Sequence, residues 1–187
     1  LVRGLRDLFD VHGADRPALA GPGQPDEMVV HLRSGDVFGP DPHPDYWPPS
    51  LAYYTAALAD AAPRAVRLVC QDRVHPLLGP LEEWGRRHGV PVRVQVSDDL
   101  RADLATLTEA STLCISQGTL GLAAAWLSPN VQRVYLPRGA HTEELRALGT
   151  AVVEAVLPAP ADAWRASPQQ VATLSDHAHP VPLRVVP

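Results

Sequence analysis

Apolar residues come in two alternating rhythms along most of the chain. Short runs rich in Val, Ile and Leu read as strands: MVVHLR (28–33), AVRLVC (65–70), VPVRVQV (90–96), TLCIS (112–116), VQRVYLP (131–137) and AVVEAVL (151–157). Between them the apolar spacing becomes helical in SLAYYTAALADAA (50–62), VHPLLGPLEEWGRRHG (74–89), SDDLRADLATLTEA (97–110), TLGLAAAWLS (119–128), HTEELRALG (141–149) and SPQQVATLSD (167–176). The local signals agree with these limits. Ser50, Ser97, Asp98 and Ser167 are N-cap types, Pro168 suits a first helical position, Pro80 marks a break or restart, and Gly89 and Gly149 suit helix stops. A further helical pattern opens the chain at 1–10, followed by a Gly- and Pro-rich loop over 11–26.

Strands that alternate with helices predict an α/β fold, a Rossmann-like parallel sheet flanked by helices and joined by right-handed crossovers. The division expected is an N-terminal helix and loop over 1–27, a Rossmann-like domain over 28–176, and a Pro-rich tail over 177–187 that is irregular or one edge strand. At 187 residues the chain can bury one large core. In such sheets ligands bind beyond the carboxyl ends of the strands, and this rule ranks the candidate residues.

The first candidates are His31, Arg33, Ser34, Gly35 and Asp36, at the end of the first strand. Residues 31 and 33 share a face, because side chains alternate along a strand. Arg suits a diphosphate, with its planar fork of donors. Gly35 permits a tight turn or close backbone approach. Asp36 either orients Arg33 or accepts backbone N–H groups of the loop. The plain structural reading is a strand-end Arg–Asp surface pair of little energetic worth. The second group is Ser116, Gln117, Gly118 and Thr119, between a strand and a helix, where free backbone N–H groups favour phosphate oxygens. Thr119 is also a capping type, and plain N-capping is the competing reading. The third is Asp72, just past the second strand, placed either to accept from a guanine edge or to complement a helix N-terminus. The loop over 34–49 adds His43, Tyr46 and Trp47, which face an acceptor or pin the loop. Tyr53 and Tyr54 read as helix core or boundary.

Charge narrows the choices. A net charge of -5 argues against a general nucleic-acid binder. All sixteen basic residues are Arg, which excludes a Schiff-base lysine or a P-loop lysine. Cys70 and Cys114 each end an apolar run and read as buried, reduced and structural. No apolar run is long enough to span a membrane, and no signal peptide is visible, so a cytoplasmic location is expected. No metal site is expected: His43 with Asp41 and Asp45 matches no zinc spacing, and His177 and His179 read as solvated.

Three features in this order carry a family resemblance: V-V-H-L-R-S-G-D after a strand, Q-D after the next, and D-L-A-T-L-T-E-A-S-T-L-C-I-S-Q-G-T-L-G-L-A-A-A-W-L-S further on. Over roughly residues 28–137 they resemble the GDP-fucose-using fucosyltransferases of the α1,2, α1,6 and protein O-fucosyltransferase groups. H-P-D-Y-W-P-P-S-L-A-Y-Y is similar to the loop that follows the first motif in related glycosyltransferases. The resemblance implies the C-terminal, donor-binding lobe of a GT-B transferase. It implies transfer of a sugar, fucose, from GDP to a glycan or other hydroxyl acceptor with inversion. No cofactor beyond the GDP-sugar substrate is implied.

By the same resemblance Arg33 contacts the diphosphate and helps GDP leave; the general base that activates the acceptor stays open among Asp36, Asp41, His43 and groups outside this chain. His31 lies near guanine and ribose, Asp72 reads guanine, and Ser116, Gly118 and Thr119 line the diphosphate loop with Gln117. Ser34 stands where several members have a second Arg, and the serine-rich loop is reduced to S-Q-G-T, which bears on the identity of the sugar. The alternative is a non-catalytic nucleotide-binding or structural domain, a degenerate or partial transferase lobe.

Overall fold

A computed structural model describes residues 26–139, 142–158, 162–176 and 180–187. The helix expected at 1–10, most of the 1–27 segment, and His177 and His179 lie outside the described residues. The elements follow the expected alternation. They are β1 (Glu27–Leu32), a 3-10 turn (Gly35–Phe38), α1 (Leu51–Ala61), β2 (Ala65–Cys70), α2 (Leu78–His88), β3 (Val92–Val96) and α3 (Leu100–Glu109). β4 (Thr112–Cys114), α4 (Thr119–Leu127), β5 (Arg133–Pro137), α5 (Thr142–Ala147), β6 (Ala151–Ala155), α6 (Pro168–Leu174) and β7 (Leu183–Val185) complete the described chain.

The sheet order is β3-β2-β1-β4-β5-β6-β7. The first six strands are parallel, and β7 pairs antiparallel with β6, so part of the Pro-rich tail closes the sheet as an edge strand. This is the doubly wound Rossmann order, and it reverses direction between β1 and β4. Alternation along β1 divides the core. Met28, Val30 and Leu32 pack with α1, α2 and α6, whereas Val29 packs with α3, α4 and α5 on the opposite face. Tyr53 and Tyr54 are fully buried, in the core rather than at its boundary, and Cys70 and Cys114 are buried free thiols.

Several boundaries differ from the sequence pattern. The helix expected from Val74 begins only at Leu78, with Pro80 in its first turn, where a missing N–H costs nothing. The cap of α3 is Asp99 rather than Ser97 or Asp98. Its carboxylate accepts from the Arg101 N–H, while the Ser97 hydroxyl accepts from the Asp99 N–H. The cap of α4 is Gly118, not Thr119, because φ of +122° there turns the chain sharply out of the strand. Ser167 caps α6 as predicted, in a capping box with Gln170.

Candidate functional site

β1 is the central strand, and its carboxyl end meets β4 at the reversal of strand order. His31 takes the face of Val29, toward α4. A Cβ on Gly121 of α4 would lie 3.2 Å from His31 Nδ1 and 2.8 Å from the Ile115 side chain, so the glycine lets the helix sit down on the sheet. His31 is buried, with Nδ1 3.3 Å from Ser116 Oγ. Burial, helped by the Arg33 charge, lowers its pKa to about 4, so the ring is neutral at pH 7.

Arg33 follows on the same face. Its Nη2 donates to both carboxylate oxygens of Asp36 at 2.9 Å, so of the two roles open to Asp36 the structure shows the orienting one. The guanidinium carbon lies 5.6 Å from the centroid of the Tyr46 ring. The side chain crosses Gly118, where a Cβ would come within 3.4 Å of Arg33 Cδ. Arg33 Nε is buried and has no hydrogen-bond partner. Beneath it α4 starts from Gly118, which has no side chain to cap the first N–H groups of the helix. A guanidinium with an unused donor over an uncapped helix N-terminus favours an anion.

The loops around Arg33 are stitched together. The Gln71 N–H donates to Ser34 Oγ at 3.0 Å. The Gly35 N–H donates to Asp72 Oδ2 at 2.9 Å, and the Val74 N–H to Asp72 Oδ1 at 3.1 Å. Asp72 therefore clasps the loops after β1 and β2 with both of its oxygens. Gly35 has φ of +73° and packs on the Gln71 side chain, which explains a glycine at this position. Tyr46 donates its hydroxyl to the Gln117 carbonyl at 3.0 Å, and burial raises its pKa to about 12, so it stays a neutral donor.

A cleft of about 500 Å³ opens beside Arg33. His31, Arg33 and Thr119 line one part of it, and Ser97, Asp98 and Asp103 another. Asp103 is a buried carboxylate whose pKa is raised by burial, against a lowering hydrogen bond from Gln95 at 3.2 Å. Gln95 is itself oriented by a 3.0 Å bond from Thr106. Nothing in its local spacing distinguished Asp103 from an ordinary residue of an amphipathic helix; only its place at the start of α3, beside β1 and β2, brings it to the cleft.

The three acceptor-loop residues part company. His43 is exposed and accepts from the Asp45 N–H, Tyr46 turns to Arg33, and Trp47 packs edge-on against Trp164. Trp47 also lines a second cleft, of about 770 Å³, with Gln117, Val156 and Leu174. Among the described residues no three His, Cys, Asp or Glu side chains form a potential metal-ligand set, and no helix is long and apolar enough to cross a membrane.

Comparison with known proteins adds two solved structures. One is the crystal structure of POFUT1 in complex with GDP, at 10% identity and a TM-score of 0.41, covering 72% of this chain and 47% of that one. The other is POFUT1 in complex with GDP-fucose, at 11% identity and a TM-score of 0.41, covering 72% of this chain and 45% of that one. This chain thus spans under half the length of the chains it matches. No family model and no curated protein matches it.

Proposed function

We propose that this chain is the donor-binding unit of an inverting glycosyltransferase that uses a nucleotide-diphosphate sugar, GDP-fucose. The observation that carries this reading is Arg33, whose buried Nε lacks a partner, lying across the uncapped start of α4 at the β1/β4 reversal. As the glycosidic bond to the donor breaks, negative charge builds on the leaving diphosphate. Arg33 and the α4 N–H groups stabilise that charge, held in place beforehand by Asp36 and Tyr46. Neutral His31 sits beside them without competing for a proton at pH 7. The acceptor is a hydroxyl, in keeping with the family resemblance.

The cleft also suits guanine. Guanine presents adjacent N–H donors on one edge, and Asp103, oriented by Gln95, offers a carboxylate in the same cleft as Arg33. Asp103 lines this cleft, whereas Asp72, to which the resemblance gives the base, clasps the two loops with oxygens that can each accept a second bond.

Calorimetric titration of GDP tests the proposal. Arg33→Ala is expected to weaken binding on the order of 100-fold, the worth of one or two charge-assisted hydrogen bonds. Arg33→Lys also weakens it, because the planar fork is lost. Asp103→Asn narrows the preference for GDP over UDP. Absence of GDP binding by the folded wild-type chain overturns the proposal, and tight GDP binding without transfer or hydrolysis of GDP-fucose favours the non-catalytic alternative.

A further inference from the structure

Trp164 belongs to no helix or strand, and the apolar rhythm of the sequence passes it over. It is nevertheless among the largest fully buried side chains. Its indole N–H donates to the Val37 carbonyl at 2.7 Å, and its backbone N–H donates to the Pro44 carbonyl at 2.8 Å. Its ring meets Phe38 edge-on at 6.1 Å and Trp47 at 5.1 Å. A neighbouring bond strengthens the attachment, with the Trp47 indole N–H donating to the Asp162 carbonyl at 2.8 Å.

These anchors fall at telling places. Asp36 and Tyr46 are the two loop residues that hold Arg33. Val37 follows Asp36 directly, and Pro44 and Trp47 bracket Tyr46 and Asp45. Trp164 thus grips the loop beside each of the two residues that orient the guanidinium. It does so from a segment far along the chain, so the loop's position depends on completion of the sheet through β6.

We propose that Trp164 is a positioning residue for the anion site, acting through the 36–47 loop on Arg33. This rests on the nucleotide-diphosphate reading for its ligand, although the geometry it predicts can be measured without one. A purely structural tryptophan, filling the core under α1 and α6, would contribute to stability and leave Arg33 unaffected.

The experiment compares the full wild-type chain with Trp164→Phe, which keeps an aromatic ring and removes the indole N–H. Leu58→Ala serves as a destabilising control, since Leu58 is buried in the same core and makes none of these loop contacts. Two readouts are taken on folded samples. The first is the Arg33 Nε–H resonance, assigned by its loss in Arg33→Ala, with its rate of exchange with water. The second is GDP affinity by calorimetry, including the Trp164→Phe/Arg33→Ala double variant.

Trp164→Phe is expected to shift the Arg33 resonance and speed its exchange, and to weaken GDP about fivefold, the net worth of one hydrogen bond. In the Arg33→Ala background it should cost nothing further, because coupled residues fail to add. Leu58→Ala should lower the unfolding midpoint without either change. An unaltered Arg33 resonance in Trp164→Phe, or additive losses of GDP affinity, overturns the proposal. If the wild-type chain binds no GDP, the transferase reading falls, and the resonance alone decides the role of Trp164.

Discussion

Glu27 and Arg33 stand at opposite ends of β1, and their surroundings treat charge in opposite ways. At the amino end Glu27 is buried and its Oε2 meets Arg67 Nη2 at 2.9 Å, with Glu109 4.0 Å from the same guanidinium. That charge is answered from within the protein through Oε2, although Oε1, like Arg33 Nε, is buried without a hydrogen-bond partner. At the carboxyl end Arg33 is a third exposed, its only acidic partner among the described contacts is the exposed Asp36, and Nε is left without an acceptor. The helix dipole beneath it adds positive potential instead of cancelling it. A buried ion pair secures the fold, whereas a part-exposed one beside an uncapped helix has capacity left for a ligand.

The largest expected effect comes from breaking the buried pair. Arg67→Met leaves Glu27 buried without its counter-charge and should cost about 3–5 kcal/mol in urea unfolding. GDP affinity should be unchanged wherever the variant is folded. Arg33→Ala is the mirror image, with stability shifted by less than about 1 kcal/mol and GDP binding weakened on the order of 100-fold. Equal stability losses in the two variants would erase the contrast between the two ends.

Acid should act next, through the carboxyl end. Burial, the leading cause for both, holds His31 and His75 at about 4. The unfolded chain takes up these protons near pH 6.5, and the native chain resists until about 4. The unfolded state therefore binds more protons within that window, and stability falls as pH drops through it. The loss is on the order of 3 kcal/mol for each histidine. Unfolding curves at pH 7 and pH 4.5 measure it, and His31→Gln should flatten the dependence. A stability unchanged across this range would show that the histidines are not held neutral.

The smallest effect belongs to the turn under Arg33. Gly118 has φ of +122° and ψ of 172°, a region open essentially to glycine, so Gly118→Ala should cost about 1–3 kcal/mol. Its Cβ would meet Arg33 Cδ at an ordinary 3.4 Å, so the loss should come from backbone strain rather than collision. GDP affinity should fall as the α4 N–H groups turn away. A variant as stable as wild type would mean that the turn relaxes without penalty.

The apolar periods of the sequence carry the strand and helix succession, and with it the α/β class with a parallel sheet flanked by helices, because residues that alternate or recur every turn must share a buried face. The shared face of His31 and Arg33 follows from the same rule. So does the identity of the β4–α4 turn, where a glycine interrupts S-Q-G-T. Contacts between distant segments are a different matter. That Asp72 is a clasp for two loops, that Asp103 enters the cleft, and that Trp164 grips the 36–47 loop all depend on which strands become neighbours. Local spacing determines which side of an element a residue takes, but sheet order determines what it meets there. For this protein the chain itself placed an arginine at the end of its central strand, and only the tertiary structure left that arginine's Nε unpaired above an open helix end.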